Sequence, residues 1–337
     1  MKSALRHPLF VLSAFCTVFY LYFHYAASSI EPEALQNGKY AFATFLSTRV
    51  SNESDDDPYF TATRVLAYQL LHQPETRTRR TTPLLVLAPP HVPDNKRKAL
   101  RDEGVTIVPV DLLTLKNWCP DPSEKRWIDQ FTKLRLWSLT QYDRILYLDN
   151  DMLLTHPLDD IWNEAVVSTP RRTNFHAETH VHDPNIPQEY VLAGGADNEG
   201  PGAVRPTPLL MNSRLNAGLM VIKPDRGLFK HYISILEVGG KDGASLFDTS
   251  FMEMGLLNYA HRPDGPMPWA ALPSGRYCNN WPQLRDVEDG SAALHDKFWD
   301  PANKAWIERE LVEMWFRVQG RMEGFWQARR EGKKPRG

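Results

Sequence analysis

Two aspartates separated by one residue, Asp149 and Asp151, follow directly on the apolar run ILYL, and lie inside the segment YLDNDMLLTHPLDDIW that runs from Tyr147 to Trp162. In an extended chain, side chains at i and i+2 project to the same side, so these carboxylates can share one hard divalent cation. Mn2+ and Mg2+ both take oxygen ligands, and such ions bridge phosphates. A cation there would neutralise a diphosphate leaving group as its bond to a sugar breaks. The competing reading is a plain turn, because Asp and Asn are common turn residues. Placement straight after a wholly apolar strand favours a site, since open α/β sheets bind ligands just beyond the carboxyl ends of their strands.

A strand end of this kind needs a sheet around it. Residues 40–46 (YAFATFL) read as a buried first strand, 59–71 as a helix, 84–88 as a short apolar run, 95–103 as a charged helix and 105–110 as another strand. Residues 127–139 carry Ile128, Phe131, Leu134, Leu136 and Trp137 and read as an aromatic helix, which leads into the strand Arg144–Leu148. Strands alternating with helices predict an α/β fold with a mostly parallel sheet flanked by helices. The segments 51–58 (acidic) and 74–83 (basic, threonine-rich) read as loops. Residues 170–208, rich in His, Pro, Gly and Asn, read as a long surface excursion. Beyond them, Leu215–Ile222 (LNAGLMVI) returns to a buried strand. Residues 228–236 and 250–259 read as helices, and 292–295 as a short segment entering HDKFW. The chain from Arg317 onward is basic and reads as a solvated helix with a frayed end, weak attraction to a membrane surface being the alternative.

Taken together, AFATFLST from Ala41, KLRLWSLTQYDRILYLDNDML from Lys133, LNAGLMVIKP from Leu215, GLLN from Gly255 and LHDKFW from Leu294 resemble the family 8 glycosyltransferases, the group that includes glycogenin and galactinol synthase. The resemblance runs from Ala41 to Trp299 and implies a GT-A type single domain. It implies retaining transfer of a sugar from a UDP-sugar donor, assisted by Mn2+ or Mg2+. By position in the motifs, Asp149 and Asp151 match the family's metal ligands, and His295 matches the histidine that completes the set; a neutral imidazole is a sound third ligand. Asn150 falls beside the ribose, Lys133 near the donor sugar and phosphates, and Thr44, Phe45 and Tyr59 around the uracil and ribose. For Phe45 a core-strand role competes. Asn216, Ala217 and Gly218 suit a close approach of backbone to the sugar, with a bulged strand as the alternative. Where glycogenin has an Asp-Gln pair, this chain has Glu253-Met254 with Asp248 upstream, so either Asp248 or Glu253 holds the catalytic acidic place. The closing motif is compressed, and Lys297 is the residue in it that would reach the diphosphate.

The remaining features bound the cellular setting. Net charge is −2 from 39 basic and 41 acidic side chains, which speaks against nucleic acid as a partner. Lys2, Arg6 and His7 precede an apolar stretch at 9–27 whose length suits a retained bilayer-spanning helix better than a cleaved signal. The small residues Ala26, Ala27, Ser28 and Ser29 leave cleavage as the alternative. The organisation read from this is a cytoplasmic tail at 1–8, an anchor at 9–27, a stem at 28–38, a catalytic domain at 39–316 and a basic tail at 317–337. A single-pass type II protein of the Golgi membrane follows, its domain lumenal, with a glycan, glycoprotein or glycolipid acceptor. Asn52 in Asn-Glu-Ser is then a candidate glycosylation site. Of three cysteines, Cys16 lies in the apolar stretch; Cys119 and Cys278 either pair or stay as buried thiols. Similarity to the fungal branch of the family suggests N-acetylglucosamine as the transferred sugar, with glucose or galactose as alternatives. Two other classes fit the same aspartates: a metal-dependent phosphohydrolase or nucleotidyltransferase, and a lectin-like protein that kept the fold without the chemistry.

Overall fold

In a computed structural model, the described residues are 38–47, 57–113, 129–177, 183–197, 200, 213–238, 246–302 and 305–332. The expected anchor, the expected stem up to residue 37, Asn52 and Cys119 lie outside them. Among the described residues no helix is long and apolar enough to cross a membrane.

Twelve strands are described. They are β1 (Tyr40–Phe45), β2 (Leu84–Ala88), β3 (Thr106–Pro109), β4 (Arg144–Leu148), β5 (Met152–Leu154), β6 (Arg171–Arg172), β7 (Glu189–Tyr190), β8 (Leu192–Ala196), β9 (Leu215–Ile222), β10 (Ala270–Ala271), β11 (Asn279–Asn280) and β12 (Ala293–His295). The helices are α1 (Pro58–Leu71), α2 (Asp94–Asp102), α3 (Ala165–Ser168), α4 (Arg226–Val238), α5 (Met252–Ala260), α6 (Leu284–Glu288) and α7 (Arg309–Arg330). Seven strands form one sheet in the order β10-β8-β9-β4-β1-β2-β3, and β11-β12-β5 form a second. β3, β2, β1 and β4 run parallel, whereas β9 is antiparallel to both β4 and β8. Every residue of β1, β2 and β4 is buried. That explains why their sequences are apolar save for Thr44 and Arg144, because a parallel sheet covered on both faces has no polar side.

α1 starts where the sequence provides a cap: the Asp57 carboxylate accepts from the N–H groups of Tyr59 and Phe60 at 3.1 Å, and Pro58 occupies the first turn. The aromatic helix expected at 127–139 is a 3-10 helix, Gln130–Ser138. Phe131, Leu134 and Trp137 recur every three residues, and a three-residue turn puts all three on the core side.

Two expectations are corrected. The supposed surface excursion at 170–208 contains β8, a strand within the main sheet, and the β6–β7 pair. Small residues hid β8: a Cβ on Gly194 would stand 3.0 Å from the Leu219 carbonyl oxygen and closer still to the Leu215 side chain, so the strand needs glycine there. The supposed solvated tail from Arg317 is the second half of α7, which buries Leu311, Trp315, Val318, Met322 and Trp326 in an apolar cluster with Ala62, Val65 and Tyr68 of α1. Its apolar positions fall three or four apart, one stripe of an amphipathic helix.

Candidate functional site

β4 ends at Leu148, and the chain turns through Asp149, Asn150 and Asp151 before β5. The Asp149 N–H donates to the Gly218 carbonyl at 2.7 Å, which ties this turn to β9. β5 pairs antiparallel with β12 so that Met152 faces His295. The short second sheet thus brings a histidine 144 residues distant to within 3.0 Å of Asp151: His295 Nε2 to Asp151 Oδ1. His295 Nε2 lies 3.7 Å from Asp149 Oδ2. One ligand atom from each of Asp149, Asp151 and His295 lies within 4.8 Å of the others. Ligand atoms about 2.0–2.2 Å from a shared ion are ~3 Å apart when adjacent and at most ~4.4 Å when opposite, so the three would draw together around an ion. Two carboxylate oxygens and one imidazole nitrogen fit Mn2+ or Mg2+ better than a thiolate-seeking metal.

Two lysines flank the trio. Lys133, from the 3-10 helix, places Nζ 2.8 Å from Asp149 and 2.7 Å from Glu253. Burial works to discharge this ammonium, but the two carboxylates outweigh it and hold its pKa above the ordinary lysine value. Burial pushes the Glu253 carboxyl up, with Lys133 opposing. On the other side Lys297 Nζ lies 2.9 Å from Asp151 Oδ2. Burial opposes the ionised form of Asp151, yet Lys297 and then His295 hold its carboxyl well below the usual carboxylate range. Burial likewise opposes protonation of His295, and Asp151 and Asp149 reverse that and raise its pKa. The Tyr147 hydroxyl donates to Asp149 Oδ1 at 2.6 Å; burial and then Asp149 push this phenol well above its usual range.

The other sequence candidates fall at different distances from this centre. Of the two acids proposed for the catalytic place, Glu253 is the one at the cluster. Asp248 is exposed and caps the short 3-10 turn Thr249–Phe251, accepting from Ser250 N–H and Oγ. Met252, just before Glu253, has φ +50, a backbone region that a non-glycine residue seldom adopts. Asn150 directs its amide to the Thr63 hydroxyl on α1 at 3.3 Å. Thr44 is wholly buried and Phe45 packs in the larger core cluster, so the core-strand reading of Phe45 describes its side chain. Tyr59 lies in the first turn of α1, with its ring 5.5 Å from that of Trp299. Asn216 accepts from the Gly218 N–H at 2.8 Å and donates to Asp197 at 3.0 Å. Ala217 is buried. Gly218 is where the expected close approach appears, and its partner is the histidine: a Cβ there would stand 2.7 Å from His295 Nδ1 and closer to Cε1.

Sequence reading missed Tyr147, Asp197 and Asn280. Tyr147 had a signal, since it lies two residues before Asp149 on the same face of an extended chain. Asp197 sits in a stretch without pattern. Asn280, whose Oδ1 lies 2.9 Å from His295 Nδ1, depends on the pairing of β11 with β12, which no local pattern announces. Cys278 Sγ lies 3.9 Å from Met152 Sδ.

Comparison with known proteins bears on the fold that carries these residues. No family model matches the chain. An uncharacterized protein of Schizosaccharomyces pombe is 29% identical over 306 residues, which is 84% of this chain and 78% of that protein. Human glycogenin-1 is 30% identical over 128 residues, 36% of this chain and 37% of glycogenin-1. Among solved structures, the galactosyltransferase LgtC, crystallised with donor and acceptor sugar analogs, superposes with a TM-score of 0.52 at 16% identity, covering 83% of this chain and 95% of LgtC. The mixed α/β fold with its large central sheet resembles that of the GT-A glycosyltransferases.

Proposed function

We propose that this chain, a glycosyltransferase by its fold and by its relation to glycogenin, moves a sugar from a UDP-sugar to a hydroxyl acceptor with retention of configuration, using Mn2+ or Mg2+ held by Asp149, Asp151 and His295. The observation that carries this reading is the meeting of those three side chains at the end of β4 with a lysine on either side. A divalent cation there supplies positive charge to a departing diphosphate. Lys297, at the rim of the trio and partly exposed, adds a second positive group to the same leaving group. Lys133 holds Asp149 and Glu253 in place by charge-assisted hydrogen bonds. Glu253, 5% exposed, presents a fixed carboxylate beside the transferred sugar and orients its hydroxyls.

In the proposed step the bond from the anomeric carbon to the β-phosphate oxygen breaks. The acceptor oxygen bonds to that carbon from the same face, and the acceptor proton passes to the departing diphosphate. N-acetylglucosamine is the favoured sugar, with glucose or galactose next. The acceptor is a glycan, glycoprotein or glycolipid. The apolar stretch at 9–27 supports a type II anchor in the Golgi membrane.

The test is a screen of the full chain with UDP-N-acetylglucosamine, UDP-glucose and UDP-galactose and a panel of glycan acceptors. Release of UDP with Mn2+, its loss in EDTA and in Asp151→Ala, and an unchanged anomer by NMR of the product are expected. Release of phosphate or pyrophosphate would instead make the chain a phosphohydrolase or nucleotidyltransferase. Donor binding without turnover would make it a lectin-like protein, and an inverted anomer would remove retention.

A further inference from the structure

His295 meets the trio through Nε2, and its other ring nitrogen governs whether that atom can bind a cation. An imidazole nitrogen ligates through a lone pair, and in the neutral ring only one nitrogen has it available. Nε2 is the one facing Asp151 and Asp149, so ligation there requires the proton on Nδ1. Nδ1 lies 2.9 Å from Oδ1 of Asn280. A carboxamide oxygen accepts and never donates, so this contact calls for a proton on Nδ1; Nε2 meets a carboxylate oxygen, Asp151 Oδ1, at 3.0 Å, and a cation that takes the place of a proton there is met by the Nε2 lone pair.

Asn280 is built into its place. It is 7% exposed, and it lies opposite His295 in the parallel pairing of β11 with β12. The residue after the strand, Trp281, has a φ of +53, rare for any residue with a Cβ; strained backbone of this kind gathers at functional sites. The Trp281 ring lies 4.9 Å from that of Trp306. Trp306 donates its indole N–H to Asp296 Oδ2 at 2.8 Å, and Asp296 Oδ1 accepts the N–H of Lys297 at 2.7 Å. The segment that carries Asn280 therefore closes back on the residues flanking His295. Beside the ring, Gly218 leaves room for the imidazole edge that a Cβ would take, since a Cβ would overlap it.

We infer that Asn280 is a positioning residue: its Oδ1 holds His295 in the Nδ1-protonated tautomer and in the ring orientation that offer Nε2 to a divalent cation. This rests on the metal reading proposed above. Outer partners of metal-binding histidines act this way in general, fixing tautomer and orientation.

The test uses the full chain, with Mn2+ affinity measured by EPR of the free ion and the His295 tautomer read from 15N NMR in alkaline solution. The wild-type ring is expected to carry its proton on Nδ1. Asn280→Leu is expected to lose about 10- to 100-fold in Mn2+ affinity and to populate both tautomers. Asn280→Asp keeps an acceptor oxygen and is expected to restore both readouts, which a merely structural role would not require. A wild-type ring protonated on Nε2, or Asn280→Leu binding Mn2+ as the wild type does, overturns the inference. If Asn280→Leu does not fold, the wild-type tautomer and Asn280→Asp decide. Wild-type protein that binds no Mn2+ removes the metal reading and this one together. Equal binding by both proteins removes the role of Asn280 alone.

Discussion

Replacing Gly218 by alanine isolates the histidine's place in the site. The added methyl would stand 2.7 Å from His295 Nδ1 and closer still to Cε1, whereas ordinary contact begins near 3.4 Å, so the ring must retreat by more than about 0.7 Å. The ring's hydrogen bonds, 2.9 Å to Asn280 and 3.0 Å to Asp151, would stretch past the ~3.2 Å limit of a sound N–H···O bond. Overpacking of this size costs about 1–3 kcal/mol of stability. The larger effect falls on the metal: a displaced ligand is expected to weaken Mn2+ binding about 10- to 100-fold, or ~1.4–2.8 kcal/mol. Transfer should slow by a similar or larger factor, since a 1 Å misplacement near a reacting centre can cost ~10²-fold. Gly194→Ala is the control. It crowds Leu215 and the Leu219 carbonyl on the same strand pair and touches no member of the trio, so it should lower the melting temperature and leave Mn2+ affinity alone. Calorimetric titration with Mn2+ on both variants checks this. If Gly218→Ala binds Mn2+ as tightly as wild type, or Gly194→Ala loses as much, the argument from the glycine slot is wrong.

Two further predictions concern buried charge. Lys133→Met leaves Asp149 and Glu253 without the ammonium they share and should destabilise the protein by about 3–5 kcal/mol; adding Glu253→Gln to it should recover part of that loss, and a wild-type melting temperature for Lys133→Met would refute the pairing. His261 is buried between the Tyr232 hydroxyl and the Met267 carbonyl, and burial pulls its pKa down to about 3. Its folded-state pKa is below the unfolded one, so the unfolded chain takes up a proton first as pH falls. Stability should therefore fall from about pH 6.5 toward pH 5, by up to ~1.4 kcal/mol per pH unit from this group. His231, also pulled down by burial, adds in the same direction. Urea unfolding of wild type and His261→Gln at pH 7, 6 and 5 measures it, and parallel losses in both proteins would count against His261.

Much of this could be read from sequence where the chemistry is local. The apolar runs of β1, β2 and β4 announce buried strands, and Asp149 and Asp151 follow one of them at a spacing that puts both on one side. The family resemblance supplied His295, whose distance along the chain no pattern bridges. What stayed hidden depends on tertiary pairing. Gly194 and its small neighbours look like a loop until the strands beside them are known. The basic residues after Arg317 outweigh, to the eye, the stripe formed by Trp315, Val318, Met322 and Trp326. Gly218 is expected from sequence to let backbone approach a sugar; that His295 stands where its Cβ would be is visible only in the structure. Asn280 gains its meaning from one strand register alone.

The claim beneath all of this is that three side chains at the end of β4 bind one divalent ion. The most direct measurement is the anomalous scattering of crystals grown with Mn2+ and UDP. A single strong peak within about 2.0–2.3 Å of Asp149, Asp151 and His295 Nε2 is the expected result. A peak elsewhere, or UDP bound with no ion among those three residues, would contradict it.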